Sequence, residues 1–508
     1  MKKIILRQSL SVLVLFLFAA ALFGLGHEIS LKTKLNKKKL ISELEKTVPD
    51  LMEKANIPGL SIAVIRDGQI LWQKGFGIKN AKTGERVADN TIFEAASLTK
   101  PFFAYLVMQM VEKGEIDLDT PLIKYAPKDY IEKSFINHSM DLEGFRKDWF
   151  NKINARMVLS HSSGLPHGER QKPLPIFFEP GTKYRYSAEG YFYLQRVIEH
   201  LKGEPLEEIM RKQVIEPLKM ENSSMVWQDR YETQASVGHD IFGETNGQFR
   251  KRKQAHAAAT LYTTAADYAK FVTAILNDVG LKSETVQKML TPQVDVDKNV
   301  FWSLGFGLEH TDSGDAFWQW GDYGIFRNYI VAFRQQKIGV IYLTNSFNGL
   351  SIGQEIINHS VGDVKDLGLA HLNYDQFDSP ALALAQVFVK KGLGEALKKY
   401  HRLKAKDPEA LNERRVNSFG YALLGANKIK EAIEFFKLNV EAYPKSANVY
   451  DSLAEAYEKN GDIELSIQYY KKALEAIPND PRPDKEFLEN LKQSIPENLE
   501  RLEKKLKK

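Results

Sequence analysis

Near its C-terminus the chain repeats itself at an interval of 34 residues, and that interval decides what the region can fold into. Gly420 is matched by Ala454, Ala422 by Ala456, Ala432 by Ser466, Phe435 by Tyr469 and Pro444 by Pro478. A unit of this length has room for two helices and a turn. A lone helix pair cannot bury its apolar stripe, so such units have to stack on one another. Small residues recur where paired helices would touch, and proline closes each unit. Segments at 380 to 406 and 485 to 507 are predicted as flanking helices that complete the stack. Residues 380–508 therefore read as an all-α helical-repeat domain, separated by a linker at 363–379 from what precedes it.

Upstream the periodicity is different. GLSIAVIR (59–66) and QILWQKGFG (69–77) are β-rich runs separated by Asp67 and Gly68, a strong signal for a two-residue turn. Strands return between Trp302 and Asn345, as WSLGFGLE, AFWQWG, YIVAFR and IGVIYLTN, the last two around a turn at Gln335 to Lys337. Between the two strand regions lie loop-rich residues 120 to 170 and helical patterns near Gly190 to Leu201, Leu206 to Val214 and Thr264 to Asn277. A first helix is predicted from Leu40 to Ala55, with Leu40, Leu44, Val48 and Leu51 on its apolar face. Residues 40–362 thus read as α+β: an antiparallel sheet flanked by helices, with a helical insert between its early and late strands.

The ends of the chain carry its charge and its address. A chain of 508 residues is too long for one hydrophobic core. Lys2, Lys3 and Arg7 precede an uncharged apolar run from Ser9 to Gly26, the pattern of an export signal. The run approaches the length of a membrane span and lacks a clean A-x-A site, so a cleaved signal peptide and a retained membrane anchor (residues 4–26) both stay open. Residues 1–26 are expected to export the chain to a periplasmic or extracellular location, and 27–39 read as a basic linker. The formal charge of +5 gathers largely at the two termini. That distribution suits solvated or membrane-surface charge and does not form the basic stripe that nucleic acid requires. With no cysteine, disulfides, thiol nucleophiles and cysteine-held zinc are excluded, and the eleven histidines form no ligand spacing. No metal is expected.

The segment EAASLTKPFF (94–103) contains Ser97 and Lys100, which stand one turn apart on the same face of a helix. Phe102, Phe103, Leu106, Val107, Met110 and Val111 continue at helical spacing and Gly114 ends the run. By itself the pair is either a nucleophile beside its base or a polar helix start. A lysine can serve as a base only if burial or a neighbouring cation strips its proton near neutral pH. A serine at a helix N-terminus gains an oxyanion donor in its own backbone N–H, and a second donor has to come from an exposed strand, for which AFWQWG is the natural candidate.

The SLTK helix, YRYSAEGY (184–191) and FWQWGDYGIF (317–326) resemble the three motif regions of the serine β-lactamase and penicillin-binding-protein superfamily. GLSIAVIRDGQI, INARMVLSHSSGLP, HAAATLYTTAADYAKF and WSLGFGLE are similar to its class C-like, esterase-like branch, in the expected order. The 34-residue unit resembles a tetratricopeptide repeat. The first resemblance implies Ser97 as nucleophile, Lys100 as base and Tyr186 as the tyrosine that exchanges protons with Lys100 and the leaving group. It implies Gln319, Trp320 and Gly321 on the substrate side, and the backbone N–H groups of Ser97 and Asp322 as oxyanion donors. Arg327 matches no motif and reads as surface charge.

Two departures bear on the activity. The family usually has Asn where this chain has Ala188, and Lys or His where it has Gln319. The resemblance implies a cofactor-free serine hydrolase, exported by its N-terminal segment, that cleaves an ester or amide of a small molecule or peptide through an acyl-enzyme. The helical repeats are expected to take a protein or peptide partner. A binding or scaffold protein that has lost turnover is the alternative, and a true β-lactamase or D,D-carboxypeptidase is disfavoured by Gln319.

Overall fold

The computed structural model describes residues 36–168, 171–364, 368–482 and 485–507. The apolar segment read as an export signal lies outside them. None of the helices among the described residues is long and apolar enough to cross a membrane. Helix α1 (Lys37–Ala55) is opened by the Asn36 side chain, which accepts from the Lys38 and Lys39 amides, and it ends at Asn56 in left-handed geometry. It buries Leu40, Leu44, Val48 and Leu51 as its periodicity demands, and it takes in the lysines at 37 to 39.

Strands β1 (Gly59–Arg66) and β2 (Gln69–Gly77) form the expected hairpin. Asp67 (φ 53°) and Gly68 (φ 69°) are both left-handed, the turn whose twist suits paired strands. Six further strands follow late in the chain: β3 (Val294–Asp297), β4 (Val300–Trp302), β5 (Gly307–Thr311), β6 (Gly314–Asp322), β7 (Arg327–Phe333) and β8 (Ile338–Thr344). The sheet runs β2-β1-β8-β7-β6-β5-β4-β3, with every pair antiparallel. The fold is therefore α+β with an antiparallel sheet, as the sequence predicts. The run WSLGFGLE is not one strand, since Gly305 (φ 110°) breaks it between β4 and β5. A two-residue ladder of Phe93–Glu94 with Tyr262–Thr263 forms a second, small sheet.

Both faces of the central strands are covered. Ala63, Ile65, Phe317, Ile330, Ala332, Ile341 and Leu343 join the core formed with the insert, which includes α2 (Thr99–Glu112), α3 (Glu189–Lys202) and α4 (Ala265–Leu276). Their neighbours Ile62, Val64, Trp318, Tyr329, Val331, Val340 and Tyr342 face α1 and α5 (Gly353–Ser360). This two-sided burial explains why these strands read as nearly continuous apolar runs.

Six helices complete the chain: α6 (Pro380–Lys406), kinked at Gly392 (φ 77°), α7 (Glu413–Gly425), α8 (Ile429–Ala442), α9 (Ala447–Asn460), α10 (Ile463–Ala476) and α11 (Lys485–Leu506). The small residues of the repeat sit at helix contacts. A Cβ on Gly420 would lie 2.4 Å from the Phe436 ring, and its counterpart Ala454 is fully buried.

This helical region shares a core with the hydrolase-like part. Ile241 and Phe242 belong to the same apolar cluster as Phe388, Leu423 and Phe436. The Phe242 ring is 5.2 Å from Phe388 and 6.0 Å from Phe419, and Lys428 pairs with Glu244 at 3.1 Å. Coupling through this contact should make the chain unfold as one unit. All six tryptophans (72, 149, 227, 302, 318 and 320) precede the helical region, so their fluorescence reports on the sheet part alone. Its denaturation midpoint should coincide with that of far-ultraviolet circular dichroism. Phe242→Ala should lower both by about 3 kcal/mol of stability; two separate midpoints in the unaltered protein would show that the regions are uncoupled.

Candidate active site

Ser97 lies in a single 3-10 turn, Ala96–Leu98, that leads into α2. Ala96 holds φ at 51°, a costly left-handed value for alanine, so the surroundings must impose it. Several bonds do so. The Ala95 amide donates to the Leu261 carbonyl at 2.8 Å, and the Asn328 amide group donates to the Glu94 carbonyl at 2.9 Å. Thr99 Oγ1 donates to the Ala96 carbonyl at 2.7 Å and accepts from the Leu261 amide at 3.0 Å, while the Tyr268 hydroxyl donates to the Leu98 carbonyl at 2.8 Å.

Lys100 follows on the first turn of α2, only 1% exposed. Its Nζ donates to Ser97 Oγ at 3.0 Å and to the Ala258 carbonyl at 3.0 Å, and it lies 4.7 Å from the Tyr186 ring centre. No carboxylate pairs with it among the described residues. Burial of the ammonium lowers its pKa from the usual 10.5 to about 7. The structure therefore brings a buried amine with its pKa lowered to about 7 within hydrogen-bond distance of the Ser97 hydroxyl.

The Tyr186 hydroxyl reaches the same cluster, where it accepts from Gln319 Nε2 and lies close to the Ser97 side chain. Its ring is caged by His161 (4.2 Å between ring centres), Trp320 (4.7 Å) and Trp302 (5.6 Å). Burial raises the phenol pKa, so Tyr186 keeps its proton, and hydrogen bonds from its neighbours oppose that shift only in part. Gln319 is expected on the substrate side, but the structure places it behind Tyr186, with none of its surface exposed. Its Nε2 donates to the Tyr186 hydroxyl at 2.9 Å, to the Ser97 carbonyl at 3.2 Å and to the Trp320 carbonyl at 3.1 Å. Ala188 stands at the start of α3 without a capping bond, and Ser187 Oγ accepts from the Gly190 amide instead.

Gly321 permits the close approach of strand and turn. A Cβ there would lie 2.2 Å from the Ala95 carbonyl oxygen. Beyond it, the Tyr323 amide bonds the Phe326 carbonyl at 3.0 Å, so ladder alternation makes Gly321 and Asn328 the next bonded pair. The Asp322 N–H then points away from β7. The β5 ladder stops at the Gly307–Trp318 pair, so among the described residues no strand covers that edge. The Asp322 carboxylate accepts from Arg327 Nε at 3.1 Å, and Arg327, read as surface charge, is only 14% exposed in its side chain.

Three contributors carry no recognised motif role. Asn328, fully buried, ties β7 to both Glu94 and the Thr344 amide. Tyr374 contacts Asp322. His161, within LSHSSGLP, accepts the Ser187 amide on Nδ1 at 3.0 Å, which leaves its proton on Nε2. Burial, then the Lys100 charge, holds its pKa well below the usual value, so the ring is neutral. Only its motif context could have drawn attention to it. The described residues include no group of three or more His, Asp or Glu side chains suited to a metal ion.

A family model described as Beta-lactamase matches residues 44–356, more than half of the chain, and the chain belongs to that family. A tetratricopeptide-repeat model matches residues 447–480. Among similar proteins are Unguisins hydrolase ungD of Aspergillus violaceofuscus, 24% identical over 47% of this chain and 45% of its own length, and Esterase EstB of Burkholderia gladioli, 25% identical over 37% and 52%. The chain thus spans about half the length of these curated relatives. The octameric penicillin-binding protein homologue from Pyrococcus abyssi has a similar fold: TM-score 0.52, 22% identity, 69% of this chain and 82% of that one. Because strand and turn touch at Gly321, Gly321→Ala should destabilise the protein by about 1–3 kcal/mol, as overpacking does, read from urea denaturation.

Proposed function

We propose that the chain is a serine hydrolase that forms an acyl-enzyme on Ser97. The observation that carries this reading is the buried Lys100 amine, bonded to Ser97 Oγ and with no carboxylate counter-ion among the described residues. Lys100 takes the Ser97 proton as Oγ attacks the substrate carbonyl. The backbone N–H groups of Ser97 and Asp322 receive the oxyanion. Tyr186 gives its proton to the leaving group and regains one from Lys100, and water then releases the acyl group. Gln319, which bonds the Tyr186 hydroxyl, holds that phenol at the reacting centre.

The substrate we propose is a neutral ester or amide. A Lys or His at position 319 could offer positive charge to a substrate carboxylate, whereas Gln offers a neutral bond, and here that bond is given to Tyr186. The likeness to Esterase EstB supports the ester reading. The repeats are proposed to take a protein or peptide partner, and the N-terminal segment to direct export.

Intact mass after exposure to a fluorophosphonate should show one adduct on the unaltered protein and none on Ser97→Ala; equal labelling of both would refute the reading. The acylation rate should rise with pH to a plateau, with its midpoint near 7, because the amine becomes a base only as it loses its proton. Lys100→Ala should lose that limb and about a hundredfold or more in rate. Short-chain aryl esters should be cleaved faster than cephalosporins. The absent charged bond should cost carboxylate-bearing substrates about 1–3 kcal/mol, or roughly five- to over a hundredfold in kcat/KM. A cephalosporin turned over faster than a neutral ester would refute the substrate class.

A further inference from the structure

We infer that Tyr374 is a positioning residue for the end of β6 that carries the second oxyanion donor, acting from the segment that joins the helical region to the sheet. Its catalytic meaning rests on the reading of Ser97 as nucleophile. Residues 319 to 322 are paired with β7 on one side only, since β5 ends opposite Trp318. A strand end held by one ladder opens locally at little cost unless side chains restrain it. Side chains alternate along it, Gln319 and Gly321 on one face, Trp320 and Asp322 on the other.

Tyr374 restrains the second set. Its hydroxyl donates to the Asp322 carboxylate at 2.5 Å, and its ring packs against the same core face as Trp320. The same carboxylate accepts from Arg327 Nε at 3.1 Å and from the Gly324 amide at 2.5 Å. The Arg327 guanidinium lies between the rings of Phe347 (3.8 Å) and Tyr374 (4.8 Å). The next residue, Asp375, accepts from Arg415 Nε of α7 at 3.0 Å, and the Phe377 amide donates to the Ser351 carbonyl at 3.1 Å. A cavity of about 310 Å³ at this junction is lined by Arg327, Asn348, Tyr374, Arg415 and Phe419. The Tyr374 ring packs at the edge of the core on the α1 face, and its hydroxyl and its stack on Arg327 direct it at Asp322.

The Asp322 N–H moves with the Asp322 side chain, and donor placement decides oxyanion stabilisation. Tyr374→Phe in the full chain keeps the stack and removes the hydroxyl. Peptides covering 317–328 should then exchange amide hydrogens at least about fivefold faster, with those covering 59–66 unchanged, as local opening predicts. The maximal rate of phosphonylation by a fluorophosphonate should fall about tenfold, with its half-saturation concentration unchanged, as expected of a displaced donor. Unchanged exchange overturns the inference, and so does faster exchange with an unchanged maximal rate. If the unaltered protein is not phosphonylated, the Ser97 reading fails, and hydrogen exchange alone still decides whether Tyr374 anchors β6.

Discussion

The ladder between β1 and β8, from Leu60–Thr344 to Ile65–Gly339, closes the molecule. It joins the start of the hydrolase-like part to its end, so everything between is either another strand of the same sheet or an insert against one face. Ser97 belongs to the insert, and Gly321 and Asn328 belong to the sheet. The candidate site therefore exists only along the seam where the two meet. Pairings of such long sequence separation cost loop entropy before any contact rewards them. The bonds from Asn328 to the Glu94 carbonyl and from Gln319 to the Ser97 carbonyl are what register the seam once it forms.

Gln319 shows how one position can change the character of a site without dismantling it. Its amide nitrogen faces three acceptors, while its Oε1 is buried without a partner among the described residues. An orphaned acceptor of this kind carries a desolvation cost. It is tolerated beside a fully buried lysine and a caged phenol, where rigidity of the hydroxyl cluster is gained in return.

Much of the architecture is legible in the sequence, for reasons that differ by element. The Asp67–Gly68 turn is legible because few residue pairs accept two left-handed conformations. Helix α1 is legible because solvent covers one side of it. The β3–β4 hairpin has its own signal in the alternation of Val294–Asp297, but it is short, and the break at Gly305 hides inside an apolar run. The Phe93–Glu94 ladder has too few residues to show any period. At the site, Ser97, Lys100 and Tyr186 are legible by motif. What Gln319 touches is not, because the spacing from 186 to 319 carries no information on which side chains converge. Tyr374 has no local signature at all, and its role depends wholly on where the chain returns after α5.

Among the described residues, the apolar core that the helical stack shares with the sheet part lies at one end of the stack. The cluster that includes Ile241 and Phe242 reaches α6 to α9, whereas the satellite core of α9 to α11 is formed by residues from 447 to 502 alone. Mechanically this is a cantilever. Small rotations at each helix–helix joint add along the stack, so displacement grows from the root at α7 towards the tip at α11. Load applied at the tip is felt as torque at the root, where Arg415 grips the chain segment beside the β6 strand end.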